Sequence, residues 1–139
     1  MSDASPAHEF GPLRPLREKE LALIKKLLLG TAFADRALAQ LSEALVRDMP
    51  DGGMGSIQFY RSANLDKRRF GKQIAEGAFR DVDGVPVSVT LNMDQQGELF
   101  ELDFFKGDFS PLISYPDLED LEIVERHGQL GFPPQKTVT

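Results

Sequence analysis

From Val85 to Met93 the chain alternates without a break, with Val85, Val87, Val89, Leu91 and Met93 set against Pro86, Ser88, Thr90 and Asn92. A side-chain period of two belongs to an extended strand with one buried and one wet face; a helix would scatter these residues around its circumference. One strand of this kind is not stable alone, so its apolar face demands neighbouring strands and a covering layer. Phe100, Leu102 and Phe104 repeat the alternation, and Ile57 and Phe59 repeat it over a shorter run.

Turn chemistry makes the pairing specific, because a slip of one residue would send a whole strand's side chains to the wrong face. A three-residue loop Val82-Asp83-Gly84, with Gly84 in the left-handed position, aligns Phe79 with Val87, Gly77 with Val89 and Ala75 with Leu91. A four-residue loop Asp94-Gln95-Gln96-Gly97 pairs Leu91 with Phe100, Val89 with Leu102 and Val87 with Phe104, so that apolar meets apolar throughout. The expectation is an antiparallel meander over 72–81, 85–93 and 98–106. Residues 56–60 add a further strand, and Leu121, Ile123 and Val124 suggest an edge strand.

Upstream of Pro50 the period is 3.6. Leu21, Ile24, Leu27 and Leu28 share one helical face after Pro15, and Gly30 supplies a stop. A second helix, capped by Thr31 or Asp35, is expected to carry Leu38, Leu41, Leu45 and Met49 as its stripe until Pro50 ends it. The predicted fold is therefore α+β, an N-terminal helical hairpin packed on one face of an antiparallel meander sheet of four to five strands. Residues 1–14 read as a flexible arm, 15–125 as a single domain and 126–139 as a tail.

A chain of 139 residues suits one core. It has no cysteine, which removes disulfides, thiolate metal sites and cysteine nucleophiles and fits a reducing compartment. The first residues lack the basic and apolar regions of a secretion signal, and no apolar run is long enough to span a bilayer, so a cytoplasmic protein with no membrane partner is expected. The net charge of −6 is uneven: residues 94–125 hold ten acids against Lys106 alone, while Arg61, Lys67, Arg68, Arg69 and Lys72 crowd one short stretch. Nucleic acid is disfavoured as a partner, since phosphate binding gains from a net basic face.

The paired strands leave a second face, on which Glu76, Thr90 and Glu101 are expected to form one cross-strand row and Ala78, Ser88 and Asp103 the next. Two strand spacings put Glu76 and Glu101 about 10 Å apart, near the upper end of the separation used by an inverting pair of carboxylates. A solvated sheet face looks the same in sequence. Leu99 and Phe105 fall on this side as apolar anchors beside Glu101 and Asp103. Asp94, Glu98 and Asp108 gather acids without the spacing of a calcium loop, so no metal or cofactor is expected. The glycine-rich Asp51–Ser56 leads into a strand rather than a helix, which suits positive φ angles and a tight reversal better than a phosphate cradle. With His8 and His127 both in terminal segments, a histidine triad or zinc site has no support.

The strings Asp51-Gly-Gly-Met-Gly-Ser56, Arg69-Phe-Gly71 and Gly97-Glu-Leu-Phe-Glu-Leu-Asp103, followed by Lys106 and Asp108-Phe-Ser-Pro-Leu112, resemble a family of small uncharacterised bacterial proteins, a domain of unknown function. The resemblance covers about residues 12–124; it implies a stand-alone domain and carries no catalytic residues. Two functional classes follow from the residues themselves. One is a non-catalytic binding protein, like the small acidic immunity proteins, using Glu76, Thr90, Leu99, Glu101, Asp103 and Phe105 against a basic protein partner. The other is a small enzyme or ligand binder whose Glu76, Glu101 and Asp103 sit in a concave face, with at least one carboxyl of raised pKa.

Overall fold

The computed structural model describes residues 9–60 and 68–125. In chain order these form β1 (Arg14–Pro15), α1 (Glu18–Leu28), α2 (Ala34–Leu41), β2 (Leu45–Asp48), β3 (Ile57–Phe59), β4 (Phe70–Arg80), β5 (Pro86–Asp94), β6 (Leu99–Lys106) and β7 (Glu122–Ile123), with a single 3-10 turn at Leu118–Asp120. The strands make one sheet of order β1-β2-β3-β6-β5-β4-β7, antiparallel at every contact. The fold is α+β with two helices, and the sheet is larger than the four to five strands expected. β7, at the sheet edge, is the strand suggested at Leu121–Val124; the additional strands are β1, of 2 residues, and β2, of 4, whose apolar residues the sequence pattern assigns to a helix.

One of them replaces the end of the expected second helix. The α2 helix stops at Leu41, and Leu45–Asp48 is a strand between β1 and β3. The misreading has a geometric origin, because a spacing of four, as from Leu45 to Met49, returns to the same side of a strand as well as a helix. The buried residue of β2 is Val46, while Leu38 and Leu45 both remain about two-fifths exposed. The α1 helix behaves as its period suggests. Its Glu20 carboxylate accepts the Arg17 amide N–H at 2.8 Å to cap the first turn, and Leu23, Ile24, Leu27 and Leu28 are buried.

Those side chains join Ala37 and Leu41 of α2 against Val46, Ile57, Phe59, Phe79, Val87, Val89, Leu91, Met93, Leu102 and Phe104 in one apolar core. Burying a residue such as Leu91 or Leu102 contributes roughly 1.5–3 kcal/mol, so this layer holds the helices to one face of the sheet.

The β4–β5 hairpin has the expected register, Phe79 opposite Val87, Gly77 opposite Val89 and Ala75 opposite Leu91, and Gly84 has φ 84°. The β5–β6 register differs by two residues: Leu91 faces Leu102, Val89 faces Phe104 and Val87 faces Lys106. The loop is tighter than expected, since the Asp94 amide donates to the Glu98 carbonyl at 2.8 Å and Gly97 takes φ 82°. The ladder then runs from Met93–Leu99 to Asn92–Glu101, leaving Phe100 as a bulge. A slip of two preserves the faces, but the bulge exchanges two residues. Leu99, expected on the polar face, is buried in the core, and Phe100 is only half-buried.

Candidate functional site

The face opposite the helices carries the residues singled out by their chemistry. Glu76, Thr90 and Asp103 share one cross-strand row; Ala78, Ser88 and Phe105 share the next. Glu101, expected beside Thr90, lies instead opposite Asn92 in the row before, and Asp103 takes the place across from Glu76. The two-residue slip therefore corrects both rows, and Asp103 becomes the acid about 10 Å from Glu76. Leu99 leaves the site altogether, whereas Phe105 keeps its place and is 46% exposed.

Local hydrogen bonds set the orientation of the two acids. Asn92 Nδ2 donates to Glu101 Oε2 at 3.1 Å. The Ser56 hydroxyl, buried at the head of β3, donates to Asp103 Oδ1 at 2.9 Å and accepts the Phe104 amide N–H at 2.9 Å. Burial pushes the Glu101 carboxyl above its ordinary value; the Asn92 amide works against this and the Asp103 charge adds to it. Asp103 itself is exposed.

Past Phe105 the chain makes a short excursion whose two ends are tied by one cation. The Lys106 side chain is wholly buried, and its ammonium donates to Asp81 Oδ2 and Asp83 Oδ2 at 2.8 Å each and to the Pro111 carbonyl at 3.0 Å. Burial alone would raise the Asp81 carboxyl, but the Ile113 amide, Lys106 and the amides of Val82 and Ser114 hold it at about 2. Burial likewise opposes the Lys106 charge, and Asp81 and Asp83 overcome it, raising that group. Between these ties, Phe109 donates its amide to the Lys106 carbonyl at 2.8 Å with φ 65°, a left-handed conformation that disfavours any residue with a Cβ. Phe109 is 68% exposed, and its ring meets Phe105 edge to face, with centroids 5.1 Å apart and planes at 83°. Phe109 was not singled out from the sequence. Turn chemistry assigns a left-handed position to Gly or Asn, so a phenylalanine there gives no signal.

The remaining expected clusters resolve into structure. Asp94 accepts from Arg68 and from the Gln96 and Glu98 amides, and Asp108 accepts from Ser110, so the acids of 94–108 do not converge. Among the described residues no group of three or more such side chains is placed to hold a metal ion. The Asp51 carboxylate accepts the amides of Gly53, Met54 and Ser56, and Gly52, Gly53 and Gly55 take positive φ, as a tight reversal requires. Of the basic stretch, Arg61 and Lys67 lie outside the described residues, as do His8 and His127. Arg68 is buried, bonded to Asp94 and to the carbonyls of Phe59 and Leu99.

The described cavities touch this face only along β4 and Pro86, at Glu76 for one and at Ala78 for another. A groove of about 430 Å³ runs between the α1–α2 connection and the β4 edge, lined by Leu27, Phe33, Ile74, Glu76 and Ile123 among others. Hollows of about 390, 530 and 320 Å³ lie by Tyr60, Arg80 and Arg36, and none of the four includes Thr90, Glu101 or Asp103. No described helix is long and apolar enough to cross a membrane.

Compared with known families, residues 13–116 match the sequence model described as Domain of unknown function (DUF6984). Nothing among the curated proteins or the solved structures matches the chain.

Proposed function

The chain belongs to the family described as Domain of unknown function (DUF6984), and within it we propose a non-catalytic binding module that offers its acid-bearing sheet face to a basic protein. The observation that carries this reading is the division of the sheet: both helices bury their side chains against one face, while the other presents Glu76, Glu101 and Asp103 with Phe105 half in solvent. An acidic field of this kind accelerates encounter with a basic surface, and an exposed aromatic gives the encounter an apolar anchor. The reading extends to a bacterial cytoplasmic protein of the immunity type, built as one unit over residues 15–125, whose partner is a basic toxin. A toxin gene beside this one would support that extension, and its absence in every genome carrying the gene would count against it.

The test of the module itself is a titration of the full chain with hexalysine, followed by amide NMR at low and high salt. Salt-sensitive shifts concentrated at Thr90, Glu101, Asp103 and Phe105 are expected; shifts confined to the helical side, or none, would refute the reading. A ligand-binding or catalytic alternative is favoured by one observation, the raised Glu101 carboxyl. Against it, Glu101 and Asp103 line none of the described cavities. It expects a small molecule to move the Glu101 titration, which carboxyl-carbon NMR reads directly.

A further inference from the structure

Resting on the binding reading above, the geometry points to a specific occupant for one corner of this face: an arginine side chain of the partner, lying on the Phe105 and Phe109 rings with its guanidinium paired to Asp103. Three observations meet there. Phe105 and Phe109 form an exposed right-angled pair, so the corner offers ring surface on which a flat cation can rest. Asp103 points to the same side of β6 two residues earlier, about 7 Å along the strand. Its Oδ1 is engaged by Ser56, and among the described residues Oδ2 accepts no hydrogen bond, leaving an oriented acceptor beside the rings.

Among the described residues, the cations on this face are already engaged. Arg47 donates to Gln58 at 2.9 and 3.1 Å and lies over the Phe10 ring, and Arg80 donates to the Gly84 carbonyl at 2.8 Å. Charge complementarity favours a cation supplied by the partner, in a segment where residues 94–125 carry ten acids and one lysine. Arginine fits better than lysine because its planar, weakly hydrated fork stacks on an aromatic face and still donates to a carboxylate, whereas an ammonium keeps its water. The corner is preorganised, since the buried Lys106 holds both Asp81 and the Pro111 carbonyl and so fixes the turn that presents Phe109. Little ordering cost remains on binding.

The full chain would be titrated with hexa-arginine and hexalysine, observing the phenylalanine ring signals by NMR and affinity by calorimetry. Hexa-arginine is expected to shift the Phe105 and Phe109 rings and to bind about fivefold more tightly than hexalysine. Asp103→Asn and Phe109→Gly should each erase that preference while leaving the weaker salt-sensitive attraction common to both peptides. Neither substitution threatens folding: asparagine keeps the Ser56 contact, and φ 65° suits glycine. Equal affinities with unmoved ring signals would overturn the arginine corner while leaving the acidic-face reading standing, and failure of both peptides to bind would overturn both. Self-association abolished by Phe109→Gly would assign the rings to a second copy and would also overturn it.

Discussion

Replacing Gly71 by alanine should destabilise the protein far more than its exposed position suggests. Gly71 lies at an irregularity of β4 between Phe70 and Lys72, with the β5–β6 loop passing directly over it. A Cβ at this position would fall 2.3 Å from the Asp94 carbonyl oxygen, 2.5 Å from its carbon and 2.9 Å from the Gln95 nitrogen. These are backbone atoms, and they are pinned: the Asp94 amide donates to the Glu98 carbonyl, and its carboxylate accepts from Arg68 and the Gln96 and Glu98 amides. Overpacking typically costs about 1–3 kcal/mol, and an obstacle that cannot rotate away belongs at the upper end. The roughly 0.4–1 kcal/mol gained by stiffening the unfolded chain offsets part of it, leaving a net loss of about 2 kcal/mol. With an unfolding entropy near 2.1 cal/mol/K per residue over 139 residues, that loss corresponds to a fall in Tm of about 7 °C. Gly77→Ala is the control, because its Cβ meets the ends of Leu121 and Leu27 at 3.0 Å each and comes no closer than 3.3 Å to backbone, at the Glu122 carbonyl oxygen. Those methyl groups can turn aside, so thermal melts followed by far-UV circular dichroism should show a smaller loss. A fall of less than about 2 °C for Gly71→Ala, or a larger one for Gly77→Ala, would refute the reasoning.

Arg68→Met should cost about 3–5 kcal/mol in urea unfolding, because it leaves the buried Asp94 carboxylate without its cation, whereas exposed Arg80→Ala should stay within about 0.5 kcal/mol. The Asp81 carboxyl is held at about 2 against 3.8 in the unfolded chain, so its contribution is present above pH 3.8 and lost as pH falls towards 2. Urea midpoints should drop across that window, and the drop should shrink in Asp81→Asn. Glu101 has the opposite sign, since a raised folded value means its ionisation opposes folding as pH rises. Glu101→Gln should therefore be slightly stabilising at pH 7 and neutral at pH 3 in the same assay. Phe109→Ala should be less stable than Phe109→Gly by about 1 kcal/mol in paired urea titrations, since both lose the ring and only alanine keeps the left-handed strain.

The sheet faces were legible because alternation from Val85 to Met93 survives any even slip, and the β4–β5 pairing because a left-handed Gly84 fixed the loop length. The β5–β6 pairing was not legible for the same reason. Leu91 meets an apolar partner whether it faces Phe100 or Leu102, so hydrophobic matching cannot distinguish registers two residues apart. Both registers put Lys106 on the core side, but only the observed one sets it opposite Val87. A lysine there reads in sequence as the end of a strand, because the carboxylates that make its burial possible, Asp81 and Asp83, come from the other end of the preceding hairpin.

That slip decides the composition of the candidate site. It sets Asp103 opposite Thr90 and Phe105 opposite Ser88, while the accompanying bulge at Phe100 turns Leu99 inward. Thus the acids and the exposed ring were readable as belonging to one face, while their arrangement depended on a bulge at Phe100 that no local rule announces. The two residues that most shape the corner, Lys106 buried and Phe109 left-handed, both break a local preference. For Lys106 the compensation is visible in three acceptors. Among the described residues Phe109 has no comparable return: it stays mostly exposed, its ring touching the exposed Phe105. A conformation disfavoured by about 1–2 kcal/mol that keeps an apolar ring exposed is what the proposed partner contact would account for.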